Sequence, residues 1–250
     1  MVAIVQDPMH WKTINENPNA PEVRHFLRST LDQRRKGRIE NATEFLKRFV
    51  TDRSVLDVGV VQHEISQIDQ PHWRHGKVRS WARRSVGVDI LPEQVAELNR
   101  RGFDVRCVDA TSDCDLGERF ERVVLGEVIE HVDNPVALLK FARRHVAPGG
   151  LVLCTTPNPF FLTYVVEALR SGSYIPNAEH VGWITPTMAL ELAHRANLEL
   201  EEYWHAQGNG KTLARKAIVG VLSLLKIRDR EPFVPTFYYV FSPAAADLGS

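Results

Sequence analysis

SVLDVGVVQHE, residues Ser54 to Glu64, decides how the rest of the chain is read. As far as Gly59 it is a short apolar run ending in a turn, the pattern of a buried strand that delivers its last residues to a nucleotide. After Gly59 the pattern changes. A dinucleotide fold wants GxGxxG at this point, and Gly59-Val60-Val61-Gln62-His63-Glu64 does not supply it, so a nicotinamide or flavin enzyme is disfavoured.

Similar apolar runs recur downstream, each closed by an acidic or turn residue: SVGVDI, DVRCVDA, RVVLGEV and LVLCTTPN. Helical stretches lie between them. PEQVAELNRRG predicts a helix from Pro92 that stops at Gly102, and NPVALLKFARRHVAPGG predicts one ended by Pro148 and Gly149. LELEEYW and TFYYVF add two later strands. The alternation predicts an α/β fold, Rossmann-like, with a seven-stranded, mostly parallel sheet and helices on both faces. Residues 1–50, with Phe26, Leu27, Leu31, Phe45, Leu46 and Phe49 spaced among charges, read as an N-terminal helical segment on the acceptor side. Residues 51–250 read as the ligand-binding domain, with a basic helical insertion at about 206–230.

Composition narrows the function. The chain has 250 residues, 44% hydrophobic and 25% charged, with 31 Lys+Arg against 31 Asp+Glu. That balance suits one globular domain and argues against a nucleic-acid coat. Cys107, Cys114 and Cys154 form no CxxC pair and leave an odd count, which predicts buried thiols in a reducing, cytoplasmic setting. The start, MVAIVQDP, carries no basic leader and reads as no signal peptide. AIVGVLSLL, residues 217–225, is shorter than the roughly 20 residues of a membrane span and reads as a buried or dimer-facing helix, the latter implying a homodimer, with a membrane-surface helix as the alternative.

Ligands of open α/β sheets bind where the strands end and the chain order reverses. Here the strand ends carry Asp57, Asp89, Asp109 and Glu127. Acidic groups in succession suit a ligand with ribose hydroxyls, an adenine amine and a cationic amino-acid tail, the three features of S-adenosylmethionine. The competing reading is that these aspartates only cap helices or hold turns.

Taken in order, VLDVG, VGVDI, DVRCVDA, FERVVLGEVIEHVDNP and APGGLVLCTTPNP resemble the class I S-adenosylmethionine-dependent methyltransferases over roughly residues 50 to 205. The GVVQHE loop, Trp73, His75, GEVIEH and TTPNP resemble bacterial methyltransferases found with polysaccharide assembly. The resemblance implies that Gly59 admits the methionine end of the cofactor, Asp89 with Ile90 holds the ribose side, and Asp109 with Ala110 faces the adenine. Asp57 and Glu127 would line the same crevice. Val60 and His63 stand where the family has glycine-loop positions.

GEVIEHVDNP, residues Gly126 to Pro135, poses the mechanistic question. On a helical turn Glu127, Glu130 and His131 fall at i, i+3 and i+4 and share one face. His180, in NAEHVGW, could fold back over them. Carboxylates with imidazole suit Mg²⁺ or Mn²⁺. The set resembles the metal sites of ubiquinone-pathway O-methyltransferases and of enzymes that methylate the terminal ribose of small RNAs. Without a metal, His131 or His180 is the candidate general base, with Glu130 beside them.

The expected function is O-methylation of a sugar or glycan hydroxyl, the acceptor being a small molecule or oligosaccharide. A quinone, phenolic or RNA-end acceptor is the alternative, and a silent cofactor-binding protein a third class. Asn158 is expected to end a strand and hold a turn. Tyr174 and Trp183 could stack on the acceptor, and Trp204 and His205 close a late strand.

Overall fold

The computed structural model describes residues 10–61, 68, 70–206 and 230–244. The two apolar faces of the central strands explain its layers. In β2 (Ser54–Val58) and β5 (Phe120–Gly126), Leu56, Val58, Val123 and Leu125 point into one core, and Val55 and Val124 into another. The period of two thus distributes apolar side chains to both faces, as a sheet covered by helices requires. Helices α5 (Pro135–His145) and α7 (Pro186–Arg195) cover the first face, and α2 (Ala42–Val50) and α3 (Arg74–Trp81) the second.

With β1 (Arg35–Ile39), β3 (Arg84–Asp89), β4 (Val105–Cys107), β6 (Val146–Pro157), β7 (Leu198–Ala206) and β8 (Thr236–Pro243), the sheet runs β1-β7-β8-β6-β5-β2-β3-β4. Every pairing is parallel except those of β8, which lies antiparallel between β6 and β7. The chain leaves β2 toward β3 and β4, then returns to β5 on β2's other side. The order therefore reverses between β2 and β5, and the ligand crevice of such sheets opens there.

The sheet has eight strands rather than seven, and the extra one lies inside the segment expected to be helical. RKGRI follows α1 (Pro21–Arg34) directly and pairs in parallel with β7. Three cationic side chains in five residues hide the strand from a hydrophobicity reading. The exposed pair, Arg35 and Lys36, also suits an edge, where charge discourages pairing with other chains. Gly37, at φ +116, marks the register shift that bends this edge.

The two helices expected from their breakers form where predicted. α4 spans Pro92–Arg100 with Pro92 in its first turn, and α5 is capped by the Asn134 side chain accepting from the Ala137 N–H. α5 stops at His145, before Pro148, because Val146 already begins β6. Of the cysteines, Cys154 is buried in the core; Cys107, on the edge strand β4, is exposed. Among the described residues no helix is long and apolar enough to cross a membrane. The expected helix around 206–230 lies outside the described residues.

Candidate functional site

Gly59, at φ +72, turns the chain off the end of β2, and its N–H donates to the Val88 carbonyl at 2.8 Å. A Cβ here would lie 2.5 Å from Val128 Cγ2, so space and dihedral both demand glycine. Gly59→Ala is therefore expected to lower stability by about 1–3 kcal/mol. A thermal melt indistinguishable from wild type would contradict that assignment.

Beyond Gly59 the loop is held by side chains instead of glycine geometry. Val60 is buried, and its carbonyl accepts from Trp73 Nε1 at 2.8 Å. Asp89 accepts from the Val61 N–H at 2.8 Å and the Leu91 N–H at 3.2 Å, tying the first loop to the end of β3. His63 lies outside the described residues.

The strand-end acids occupy different environments. Asp57 is wholly buried, with one oxygen accepting from Arg74 Nε and the other 3.0 Å from His75 Nδ1. It is a support beneath the crevice floor rather than a group facing a ligand. Each oxygen of Asp89 keeps acceptor capacity beyond its N–H partner. Ile90, 64% exposed, offers an apolar surface just past the strand. Asp109 is exposed and holds a turn through Thr111 N and Oγ1, both at 2.7 Å, while Ala110 is buried behind it.

GEVIEH does not form the α-helical turn expected of it. Glu127 takes a left-handed φ of +53, its N–H held by the Thr155 carbonyl and hydroxyl, and Ile129–His131 form a single 3₁₀ turn. The abrupt turn leaves Glu127 exposed and drives Glu130 inward. Among the described residues the metal-capable cluster is Glu130, His131 and His180, whose ligand atoms lie within 4.8 Å of one another. Glu127 is not in it, because the i, i+3, i+4 stacking that would align it needs an α-helix.

His180 is brought over by its neighbours: the Val181 and Gly182 N–H groups both donate to the Glu130 carbonyl, at 2.9 and 3.2 Å. Its ring meets His131 edge-on with centroids 4.7 Å apart. Neither Glu130 oxygen has a hydrogen-bond partner, nor does His180 Nδ1. Burial pushes the Glu130 carboxyl up to about 7, opposed first by its own backbone N–H and then by Thr156 and Arg74, with the Glu127 charge adding to the rise. Burial, then His131, lowers the proton affinity of His180. Ligand atoms sharing an ion at about 2.1 Å stand at most roughly 4.2 Å apart, so small side-chain rotations close this cluster on a cation. The orphaned Glu130 carboxylate and His180 Nδ1, beside the His131 imidazole, have the chemistry to fit a divalent ion.

Tyr164 and Tyr174 stack at 4.2 Å, with Trp183 6.1 Å from Tyr164 and 6.0 Å from His180. These rings extend from the cluster toward α6 (Leu162–Ser171), which has no buried residue. Asn158 is structural: its Nδ2 donates to the Glu231 and Val234 carbonyls and its Oδ1 accepts from Phe160 N. Trp204 and His205 end β7, and His205 is buried. The residue sequence reasoning missed is Arg74. Its one signal is a cation set between two residues that prove buried, Trp73 and His75.

This fold and crevice define a class, and the comparisons agree on it. The sequence profile described as "Methyltransferase domain" matches residues 27–203. The chain belongs to the class I S-adenosylmethionine-dependent methyltransferase family. Among curated relatives, a ubiquinone biosynthesis O-methyltransferase of Cereibacter sphaeroides (strain KD131) is 32% identical over 126 residues, 46% of this chain and 51% of that protein. One of the same name from Parvibaculum lavamentivorans is 36% identical over 85 residues, 33% of this chain and 30% of that protein. The chain thus spans about half the length or less of these relatives. A methyltransferase of Haloferax volcanii, solved with the Trm112 activator, superposes with a TM-score of 0.54 at 17% identity, covering 88% of this chain and 94% of that one. The [4+2]-cyclase SpnF superposes with a TM-score of 0.51 at 16% identity, covering 81% and 80%. At these identities the likeness concerns the fold alone.

Proposed function

We propose that this chain is an O-methyltransferase that moves the methyl group of S-adenosylmethionine to a phenolic hydroxyl of a quinone-type ring, assisted by a divalent ion. The observation that carries the reading is the buried, unpartnered Glu130 beside His131 and His180 at the strand ends. The relatives' names favour the phenolic acceptor over the sugar that the sequence suggested. The Tyr164, Tyr174 and Trp183 rings next to the cluster are suited to a flat aromatic acceptor.

For the cofactor, Gly59 leaves room at the end of β2, Asp89 offers acceptors to the ribose hydroxyls, Ile90 an apolar face and Asp109 a carboxylate toward the adenine edge. Glu130, His131 and His180 would hold Mg²⁺ or Mn²⁺. When bound, the ion lowers the pKa of the acceptor hydroxyl and orients its oxygen. The acidified hydroxyl would release its proton to solvent, and its oxygen would bond the methyl carbon while the carbon–sulfur bond breaks and its electron pair stays on sulfur. The aromatic wall and the 176–185 segment restrict water around the reacting oxygen.

The test pairs a catechol-type phenol with a sugar acceptor, following methyl transfer by mass spectrometry. Transfer to the sugar alone would overturn the acceptor assignment. Asp89→Ala should weaken S-adenosylmethionine binding at least about tenfold, since charged hydrogen bonds contribute roughly 1.5–3 kcal/mol. Asp89→Asn, whose single amide oxygen can still accept one of the two loop N–H bonds, should lose less. Equal calorimetric affinities for all three proteins would remove Asp89 from the ribose site.

A further inference from the structure

The crevice between β2 and β5 already contains a cation belonging to the chain. Arg74, the first residue of α3, reaches back so that Nε donates to Asp57 Oδ1 at 3.0 Å and Nη2 to the Val58 and Gly59 carbonyls, both at 2.8 Å. Nη1 donates to the Gly126 carbonyl at the end of β5. A Cβ at Gly126 would collide with the guanidinium, so that glycine leaves the place Arg74 fills. The carbonyls flanking the chain reversal are the acceptors a ligand's ammonium would be expected to use, and here they serve a guanidinium. Arginine has five N–H groups, and among the described residues one on Nη1 is left without an acceptor. About a fifth of the side chain, 20%, remains exposed.

Resting on the proposal that S-adenosylmethionine occupies this crevice, we infer that Arg74 reverses the usual reading of its amino-acid tail. The guanidinium takes the ammonium's acceptors and itself binds the tail's carboxylate, making Arg74 the residue that selects for that carboxylate. The Asp57–His75 pair beneath holds the guanidinium in place, and Trp73 anchors the helix start on the Val60 carbonyl. A planar, always charged fork is suited to a carboxylate, and lysine at this position could not contact all four acceptors and a ligand together.

Wild-type protein needs no alteration for the first arm of the test. Calorimetry compares S-adenosylmethionine with its decarboxylated analogue, which keeps the ammonium, with its deaminated analogue, which keeps the carboxylate, and with tail-less 5′-methylthioadenosine. The deaminated analogue should bind within about threefold of S-adenosylmethionine, and the decarboxylated one at least tenfold more weakly. In the second arm, Arg74→Met and Arg74→Lys, with folding checked by circular dichroism, should weaken S-adenosylmethionine at least tenfold and leave 5′-methylthioadenosine unchanged. A decarboxylated analogue that binds wild type as tightly as the parent would overturn the inference. So would tighter S-adenosylmethionine binding in a folded Arg74 variant, which would make the guanidinium a competitor of the ammonium. If 5′-methylthioadenosine and S-adenosylmethionine both fail to bind wild type, the cofactor assignment itself falls, and this inference falls with it.

Discussion

Glu130→Gln is expected to stabilise the metal-free protein while reducing methyl transfer at least tenfold. The Glu130 carboxyl holds its proton up to about pH 7, well above the ordinary carboxylate range near 4.5, because it is buried without a partner. A folded-state pKa raised in this way contributes stability that is complete below about pH 4.5 and is lost as pH rises through about 7. Above that range the fold carries a buried charge that Thr156 and Arg74 only partly offset. A glutamine has the same shape and no charge at any pH. The variant should therefore gain about 1–3 kcal/mol over wild type at pH 8 and show little difference at pH 4.5, with a flatter melting profile between them. Mn²⁺ should raise the melting temperature of wild type at pH 8 more than that of the variant, because a cation compensates the carboxylate only where there is one. A melting temperature at pH 8 lower than wild type would show that Glu130 is held by interactions that glutamine cannot replace.

Removal of divalent ions should have the second large effect. After exhaustive chelation, methyl transfer should fall below detection while S-adenosylmethionine binds as before, and Mg²⁺ or Mn²⁺ should restore turnover. His131→Ala and His180→Ala should each require more metal for half-maximal activity, since each removes one ligand of three. Full activity in protein shown metal-free by elemental analysis would eliminate the ion. His131 would then stand as the general base.

The central strands were legible because β2, β3, β5 and β6 are apolar on both faces, and helix α4 because Pro92 and Gly102 bound it. Strand β1 was not legible: Arg35, Lys36 and Arg38 make it look like helix surface, and only its pairing with β7 identifies it. At the site, Glu130, His131 and His180 could be brought together on residue type alone. Glu127 was misplaced because periodicity presumes a helix, and a left-handed residue followed by a 3₁₀ turn leaves no periodic trace. Asp57 misled for a different reason. A strand-end acid looks the same in sequence whether it faces ligand or is neutralised from within, and its partners Arg74 and His75 come from the far side of a loop.

The antiparallel position of β8 has a consequence for how the chain assembles during synthesis. β1 is made early, yet among the described residues its one partner in the sheet is β7, and β7 joins the remaining strands through β8, residues 236–243. The β2–β6 block can form beforehand, but β1 stays unpaired until β7, Leu198–Ala206, has emerged, and the β1–β7 pair reaches the block only through β8. Such distant closure is slow and leaves edges open to other nascent chains. The cationic side chains of Arg35, Lys36 and Arg38 thus protect the ribbon by repulsion during the interval when it has no partner, a role that ends once β7 pairs with it.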